Sequence, residues 1–249
     1  MDTTGHLVTG SVALAQGALP RDITLSEFLL DAGRWTSPDG ILDTLLDTIV
    51  LCGAVMLVAT AIAVPLAAYL AHHRRGEITV TWLVTLSRAV PTLAVAALLV
   101  PFSLRAGLGF QPWPIFAGLL LLALPQIYIN TYAAVRDIDR GVIGAARGMG
   151  FSESSVMWRV ELALAAGVIM TSIRVAAVQV IATEPLRAFL GGDGLGRYVR
   201  DGIGQNNTNQ IIGGAILIGL LAASTGVVFR LIERLALPRG VTRLAQSST

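Results

Sequence analysis

The sequence predicts an all-α integral membrane protein with about five transmembrane helices. Three observations carry that prediction. Of 249 residues, 54% are hydrophobic and only 14% charged, where a soluble domain carries about 25% charged residues. The apolar residues gather into five stretches, each of the roughly 20 residues that a spanning helix needs. The arginines, which supply all the Lys+Arg count because lysine is absent, fall mainly at the ends of those stretches and unequally between the two sides.

The elements follow in chain order. The N-terminus, MDTTGHLVTGSVALAQGALPRD, begins acidic and lacks the positive flank of a cleavable leader, so the first strong apolar span is expected to act as the insertion signal. DITLSEFLLDAGRWTSPDGILDTLL reads as interfacial: Phe28, Leu29, Leu30 and Trp35 offer apolar contacts, and Ser37-Pro38-Asp39-Gly40 reads as a turn. Asp39 is a candidate cap for the helix that follows. The spans are expected at Leu45–Ala71, Val80–Leu104, Pro114–Val135, Leu162–Leu190 and Ile211–Leu235. The fourth is the least apolar, holding Arg174, Gln179, Glu184 and Arg187. Pro65, Pro91, Pro101 and Pro125 lie within or at the ends of spans, where each removes a backbone donor and can kink its helix. The chain therefore divides into an extracytoplasmic or interfacial segment (1–42), a transmembrane domain (43–237) and a tail (238–249).

Orientation follows from the arginines. One side receives Arg74, Arg75, Arg136, Arg140, Arg147, Arg159, Arg230, Arg234, Arg239 and Arg243; the other receives Arg21, Arg34, Arg105, Arg197 and Arg200. The richer side is assigned to the cytoplasm. Five spans then place the N-terminus outside and the C-terminus inside, with Gly191–Gln210 facing outward. Arg88 is expected near the cytoplasmic end of the second span.

Several function classes are excluded. The net charge is only +2 and no basic run is interleaved with aromatics, so nucleic acid is not an expected partner. The one cysteine, Cys52, lies in an apolar span, which removes an intrachain disulfide or a Cys-based zinc site. His6, His72 and His73 lack metal-ligand spacing; His72 and His73 read as interfacial residues at a helix end. No metal or cofactor is expected. The spans hold no catalytic constellation, which argues against an intramembrane enzyme, and no paired broken helices in an inverted repeat, which argues against an ion-coupled secondary transporter. No Walker A pattern is present, so any ATP-hydrolysing engine must be another chain.

The most informative stretch is GAARGMGFSESSVMWRVELALAAGVIM, from Gly144 to Met170. Small residues let a helix approach another surface closely, and Gly148 and Gly150 permit a turn. Arg147 can pair with acids on a partner, Met149 and Phe151 can fill an apolar socket, and Ser152 can cap a new helix with Ser155 three residues on. A Gly-punctuated polar insert on the Arg-rich side of an apolar chain reads as a docking element.

The segment resembles the EAA motif of binding-protein-dependent ABC importer permeases, with Ala145, Ala146 and Gly150 matching and Gly144 standing where that family prefers Glu. The tail Val160–Ile169 is similar to the family's proline-containing form, with Ala163 and Gly167 in place of both prolines. WTSPDGILDTL, AVPTLAVAALLVPF, LALPQIYINTYAAVRDID, ARGMG, IRVAAVQVIAT, FLGGDGLGRYVRDGI and FRLIERL extend the resemblance over nearly the whole chain, and to the branch that imports glycine betaine, carnitine, choline and related quaternary amines. Thr183–Arg187 departs from that branch, whose members tend to be small and uncharged there.

The resemblance implies a type I importer permease of the methionine-importer-like fold, in a bacterial plasma membrane. It makes Gly144, Ala145, Ala146, Arg147, Gly148, Met149, Gly150, Phe151 and Ser152 the coupling helix that an ABC ATPase subunit grips. It implies a second permease copy or sister permease, and an extracytoplasmic solute-binding protein at the outer loops. Permeases for other solutes, such as methionine or phosphonate, share the fold and are the nearest alternative. Recognition of a quaternary ammonium usually needs an aromatic cage. Trp35, Trp82, Trp113 and Trp158 instead sit near span ends, and Tyr69 and Tyr128 are alone in their spans. Selection is therefore expected in the binding protein and passage in this chain. Arg174, Gln179, Glu184 and Arg187 are the candidate lining of that passage or its gate, because ionisable groups inside a membrane face a cavity or a partner helix.

Overall fold

The computed structural model describes residues 24–80, 82–83, 91–109 and 112–236. His6, Arg21, Arg88, Arg239, Arg243 and the tail 238–249, all named above, lie outside the described residues.

The N-terminal segment folds as two short helices, α1 (Leu25–Leu30) and α2 (Ala32–Thr36). A capping box starts α1: the Thr24 hydroxyl accepts from the Glu27 N–H at 3.3 Å, and the Glu27 carboxylate accepts from the Thr24 N–H at 2.9 Å. That backbone hydrogen bond holds the Glu27 carboxyl below the usual carboxylate range. Phe28 is buried and Leu30 is not, so the apolar cluster expected here splits between the fold and its surroundings. The turn before α3 (Ile41–His72) forms as expected, with Gly40 N–H donating to Ser37 O at 2.8 Å. Asp39, however, does not cap α3. The N-cap is Gly40, and the Asp39 N–H is itself bound by the Asp43 carboxylate at 3.2 Å.

The helix α3 has 32 residues, a length of about 48 Å. Ala59, Ala63, Ala67 and Ala71 recur every fourth residue on its buried face. That stripe packs on α5 (Trp113–Arg136), into a core with Leu119, Ala123, Ile127 and Tyr128. Small side chains let the two backbones approach closely, which is how helices associate where no hydrophobic drive separates them from lipid. The opposite face of α3 is exposed and apolar, through Ile49, Val50, Leu57, Ile62 and Leu66.

Among the described residues, four helices are long and apolar enough to cross a membrane: Ile41–His72, Trp113–Arg136, Glu153–Leu190 and Thr208–Leu235. They correspond to the first, third, fourth and fifth expected spans. Within the second, α4 (Thr92–Arg105) begins after Pro91 and has 14 residues, about 21 Å, short of a bilayer's roughly 30 Å hydrocarbon core. Residues 77–80 and 82–83, nearer the start of that stretch, are also helical. At the far end of α4, Ser103 donates to Gly109 O at 2.8 Å and accepts from Trp113 Nε1 at 2.9 Å, which closes the turn into α5.

Past α5 the chain forms a short helix, α6 (Arg140–Gly148). A long rod, α7 (Glu153–Leu190), follows. Its winding changes along its length: an α turn, a π segment at Val156–Glu161, α-helix over Leu162–Thr183, and a 3₁₀ segment at Glu184–Leu190. Then come α8 (Gly196–Gly204) and α9 (Thr208–Ala236). The rod α7 packs against α5, α9 and α3, and α8 packs on α9. A second apolar cluster of Phe28, Ile41, Leu195, Tyr198 and Leu217 seals the end of the bundle where α1 and α8 meet.

Close approach at that end depends on glycine. A Cβ on Gly196 would lie 2.1 Å from the Pro185 carbonyl oxygen, a backbone atom that cannot rotate away. Gly196→Ala is therefore expected to lower stability by about 1–3 kcal/mol, read as a lower thermal midpoint of the detergent-purified chain. Gly219→Ala in α9, whose new methyl meets nothing within 4 Å, should leave the midpoint unchanged or raise it.

Candidate functional site

Three groupings of polar or exposed residues stand out, one at each end of the bundle and one along its side. The first surrounds α6. Asp139 caps it, with Oδ1 accepting from the Gly141 N–H at 2.6 Å. Its C-terminus closes in a Schellman turn: Phe151 N–H donates to Ala146 O at 3.2 Å and Gly150 N–H to Arg147 O at 2.9 Å. Gly150 supplies the left-handed conformation this turn needs, with φ +87°. Ser152 then accepts from the Ser155 N–H at 3.3 Å and starts α7, the role its position suggested.

Of the nine residues from Gly144 to Ser152, only Ala146 is buried. Gly144, Gly148 and Gly150 have open space where a Cβ would stand. Met149 is 72% exposed and Phe151 39%. This is an open, small-residue surface with two apolar knobs.

Arg147, read in the sequence as able to pair with acids on a partner, is bound within the chain by Glu153. Its Nε and Nη2 donate to the two Glu153 oxygens at 2.8 and 2.9 Å, and that hydrogen bonding holds the guanidinium above its ordinary range. Glu153 also lies 3.2 Å from His72 Nε2, and His72 Nδ1 lies 2.8 Å from the buried Glu161. A string of side chains thus runs from α6 to the end of α3. Glu153 and Glu161 escaped the sequence reading. The signal was there for Glu161, a carboxylate heading the apolar run VELALAAGVI.

The second grouping closes the opposite end. Glu184 has no exposed surface and Arg187 is nearly as buried. Glu184 Oε1 lies 2.9 Å from Arg187 Nε, and Arg187 Nη2 bonds Asp47 on α3. Thr48 donates to Glu184 Oε2 at 3.3 Å and accepts from the Leu195 N–H at 3.1 Å. The loop glycines fit round this network. A Cβ on Gly194 would lie 2.5 Å from Arg187 Nη2, and one on Gly192 would lie 2.5 Å from Arg187 Cγ. Arg200 ties the same loop back, donating to Ala188 O at 2.9 Å. Burial beside it pushes the Tyr198 phenol up.

The third grouping lies between α7 and α9. Arg174 Nη1 donates to Glu233 Oε2 at 3.0 Å, and Thr171 donates to Glu233 Oε1 at 3.3 Å. Arg230 and Arg234 join them around a cavity of about 290 Å³. It adjoins a second of about 340 Å³ lined by Val175, Val178, Gly226 and Val227. Gln179 is exposed, one turn from Val175.

The four polar residues singled out in the fourth span therefore separate. Glu184 and Arg187 turn to α3 at one end of the bundle, Arg174 turns to α9, and Gln179 stays on the surface. Asp47, Thr48 and Glu233, their partners, carried no local sequence signal, since each pairing joins residues far apart in the chain.

Residues 61–240 match the family described as binding-protein-dependent transport system inner membrane component. The chain is 31% identical over 193 residues to the choline transport system permease protein OpuBB of Bacillus subtilis, covering 78% of this chain and 87% of that one. It is 31% identical over 186 residues to the carnitine transport permease protein OpuCB of Listeria monocytogenes, covering 75% and 83%. To the osmoprotectant import permease protein OsmW of Salmonella typhimurium it is 29% identical, covering 74% and 85%. Among solved structures, an inward-facing form of the MetNI methionine ABC transporter superposes with a TM-score of 0.67 over 80% of this chain and 96% of that one. At 19% identity this shows the fold, the type I importer permease fold expected above.

Replacing Arg187 by Ala leaves the Glu184 carboxylate buried and unpaired, at a cost of about 3–5 kcal/mol. Folded yield and thermal midpoint should fall sharply for Arg187→Ala and less for Glu184→Gln. The apolar pair Glu184→Leu with Arg187→Met should recover part of the loss.

Proposed function

We propose, for a chain that belongs to the binding-protein-dependent transport system inner membrane components, the import of osmoprotectants of the glycine betaine, carnitine and choline kind. The chain is a multi-pass membrane permease subunit and not an enzyme; ATP hydrolysis resides on a partner chain. The choice of solute class rests on relatives named for choline, carnitine and glycine betaine transport.

One observation carries the working of the subunit: the exposed hairpin of α6 and the start of α7, with Met149 and Phe151 projecting from it. Large apolar side chains held on a rigid turn are what a cleft in another protein can grip. Gly144, Ala145, Arg147, Gly148, Gly150 and Ser152 form the rest of the docking face, and Ala146 holds it to the bundle. Arg74, Arg75, Arg136, Arg140 and Arg159 belong to the same end, which supports a cytoplasmic location for the hairpin and an outer location for the N-terminus and α8. Arg230 and Arg234, counted with them in the sequence, stand beside Arg174 instead, and a cytoplasmic C-terminus follows from the direction of α9. The transmembrane unit runs from 43 to 237.

Closure of the ATPases pushes α6. The Schellman turn passes the push directly to α7, and the Arg147–Glu153–His72–Glu161 string passes it to α3. Rigid-body rocking of that pair then opens the passage outward. Arg174 and Gln179 line the passage, while Glu184 and Arg187 brace its outer gate. A single subunit of this size does not enclose a path, so a second copy or sister permease completes it, and a solute-binding protein delivers the solute to the loop at Gly191–Gln210.

Met149→Glu and Phe151→Asp alter exposed residues and should leave insertion and abundance unchanged. Each is expected to weaken capture of the ATPase about tenfold or more, as loss of an apolar anchor does, measured by co-purification in mild detergent and by solute-stimulated ATP hydrolysis. Unchanged capture would sink the docking role of the hairpin.

A further inference from the structure

The exposed faces of the spans are not alike. Between Ile49 and Leu66 the outer face of α3 carries only apolar side chains, as a surface bathed in lipid does. The exposed face of α7 instead carries Gln179, and beside it runs the cleft of Arg174, Arg230, Glu233 and Arg234. Arg174 lies between Glu161 and Glu184 on one helix, about 20 Å from the first and 15 Å from the second, well inside the bilayer. An ionised group at that depth pairs with a neighbour, as Arg174 does with Glu233, or faces a cavity that water can enter.

The charge of this wall is lopsided. Glu233 is bound by Arg174 and Thr171. Arg230 and Arg234 make no ion pair among the described residues and are exposed. Three guanidiniums against one carboxylate leave a net charge of +2 on the cleft. A water-filled groove with low-dielectric walls focuses such a field and concentrates ions of opposite sign.

We propose that this cleft is an anion-attracting stretch of the passage, and that the solute crossing it carries a carboxylate or other anionic group. Guanidiniums bind carboxylates in a fork of two hydrogen bonds. A zwitterionic quaternary amine such as carnitine or glycine betaine presents its carboxylate to Arg230 and Arg234. Choline, a cation with only a hydroxyl, meets repulsion. The inference rests on the passage reading above and narrows its solute class.

The test reads the field without any solute. Cys52, buried and the sole cysteine, is replaced by Ala, and Val175→Cys or Gln179→Cys is introduced singly into the full chain, assembled with its ATPase in native membrane vesicles. Labelling rates are compared for an anionic (sulfonatoethyl) and a cationic (trimethylammonioethyl) methanethiosulfonate, each relative to its rate with a free thiol. The expected result is a preference for the anionic reagent of about tenfold, lost in the Arg230→Gln, Arg234→Gln double variant at unchanged abundance. Brisk labelling by both reagents with no anionic preference overturns the inference and leaves the passage reading standing. Labelling by neither overturns both, because the face is then closed to water by lipid or by a second copy of the chain.

Discussion

The ion pair of Glu184 and Arg187 is the interaction on which the end of the bundle opposite the α6 hairpin depends. It is sealed from solvent and braced from α3, where Asp47 bonds the arginine and the Thr48 hydroxyl donates to the carboxylate while itself accepting from the Leu195 N–H of the loop after α7. Burying two charges costs several kcal/mol each unless the geometry is good and the remaining hydrogen-bonding capacity is used. The surroundings meet part of that requirement and are shaped round the arginine. Gly192 and Gly194 exist as glycines because the arginine occupies the space of their side chains. The 3₁₀ winding of Glu184–Leu190 stacks residues three apart, which brings the carboxylate and guanidinium together. The run FLGGDGLG is thus a wrapper fitted round one arginine.

The hairpin end is held differently. The Arg147–Glu153 pair is exposed on both sides, and such pairs contribute at most about 1 kcal/mol. His72 and Glu161, one step further in, are buried. The string therefore stiffens from the surface inward. A hairpin held this way can shift without unfolding its root, while the long helices behind it are anchored at the far end.

Much of this was legible in the sequence, for physical reasons. Apolar length sets the spans, so four of the five stretches appear as long helices, and α4 is shorter where Pro91 interrupts the pattern. Local turn chemistry located Gly150 and Ser152, whose partners lie within a few residues. The fates of Arg147 and Asp39 were not legible: Arg147 meets Glu153 only because the turn at Gly150 folds the chain back, and Asp39 stands one residue too early, with Gly40 at the N-cap. Nor could residue spacing separate Arg174 from Glu184. Positions ten apart share a face on a uniform helix, yet one turns to α9 and the other to α3. Sequence periodicity says which side of a helix a residue occupies, and nothing about which neighbour stands there.

The π segment at Val156–Glu161 has a further consequence. A π turn holds one more residue than the α turn it replaces, and each residue of an α-helix advances the rotation by about 100°. The segment therefore sets the phase between the hairpin below it and the rest of α7 above it, like a keyed joint in a drive shaft. The hairpin's heading and the cleft's heading are tied to the chain's residue count across these six positions. Substitutions there can be absorbed by packing. A one-residue deletion can return the π turn to an α turn and keep the phase, whereas a one-residue insertion finds no such slack and would aim the two ends in different directions.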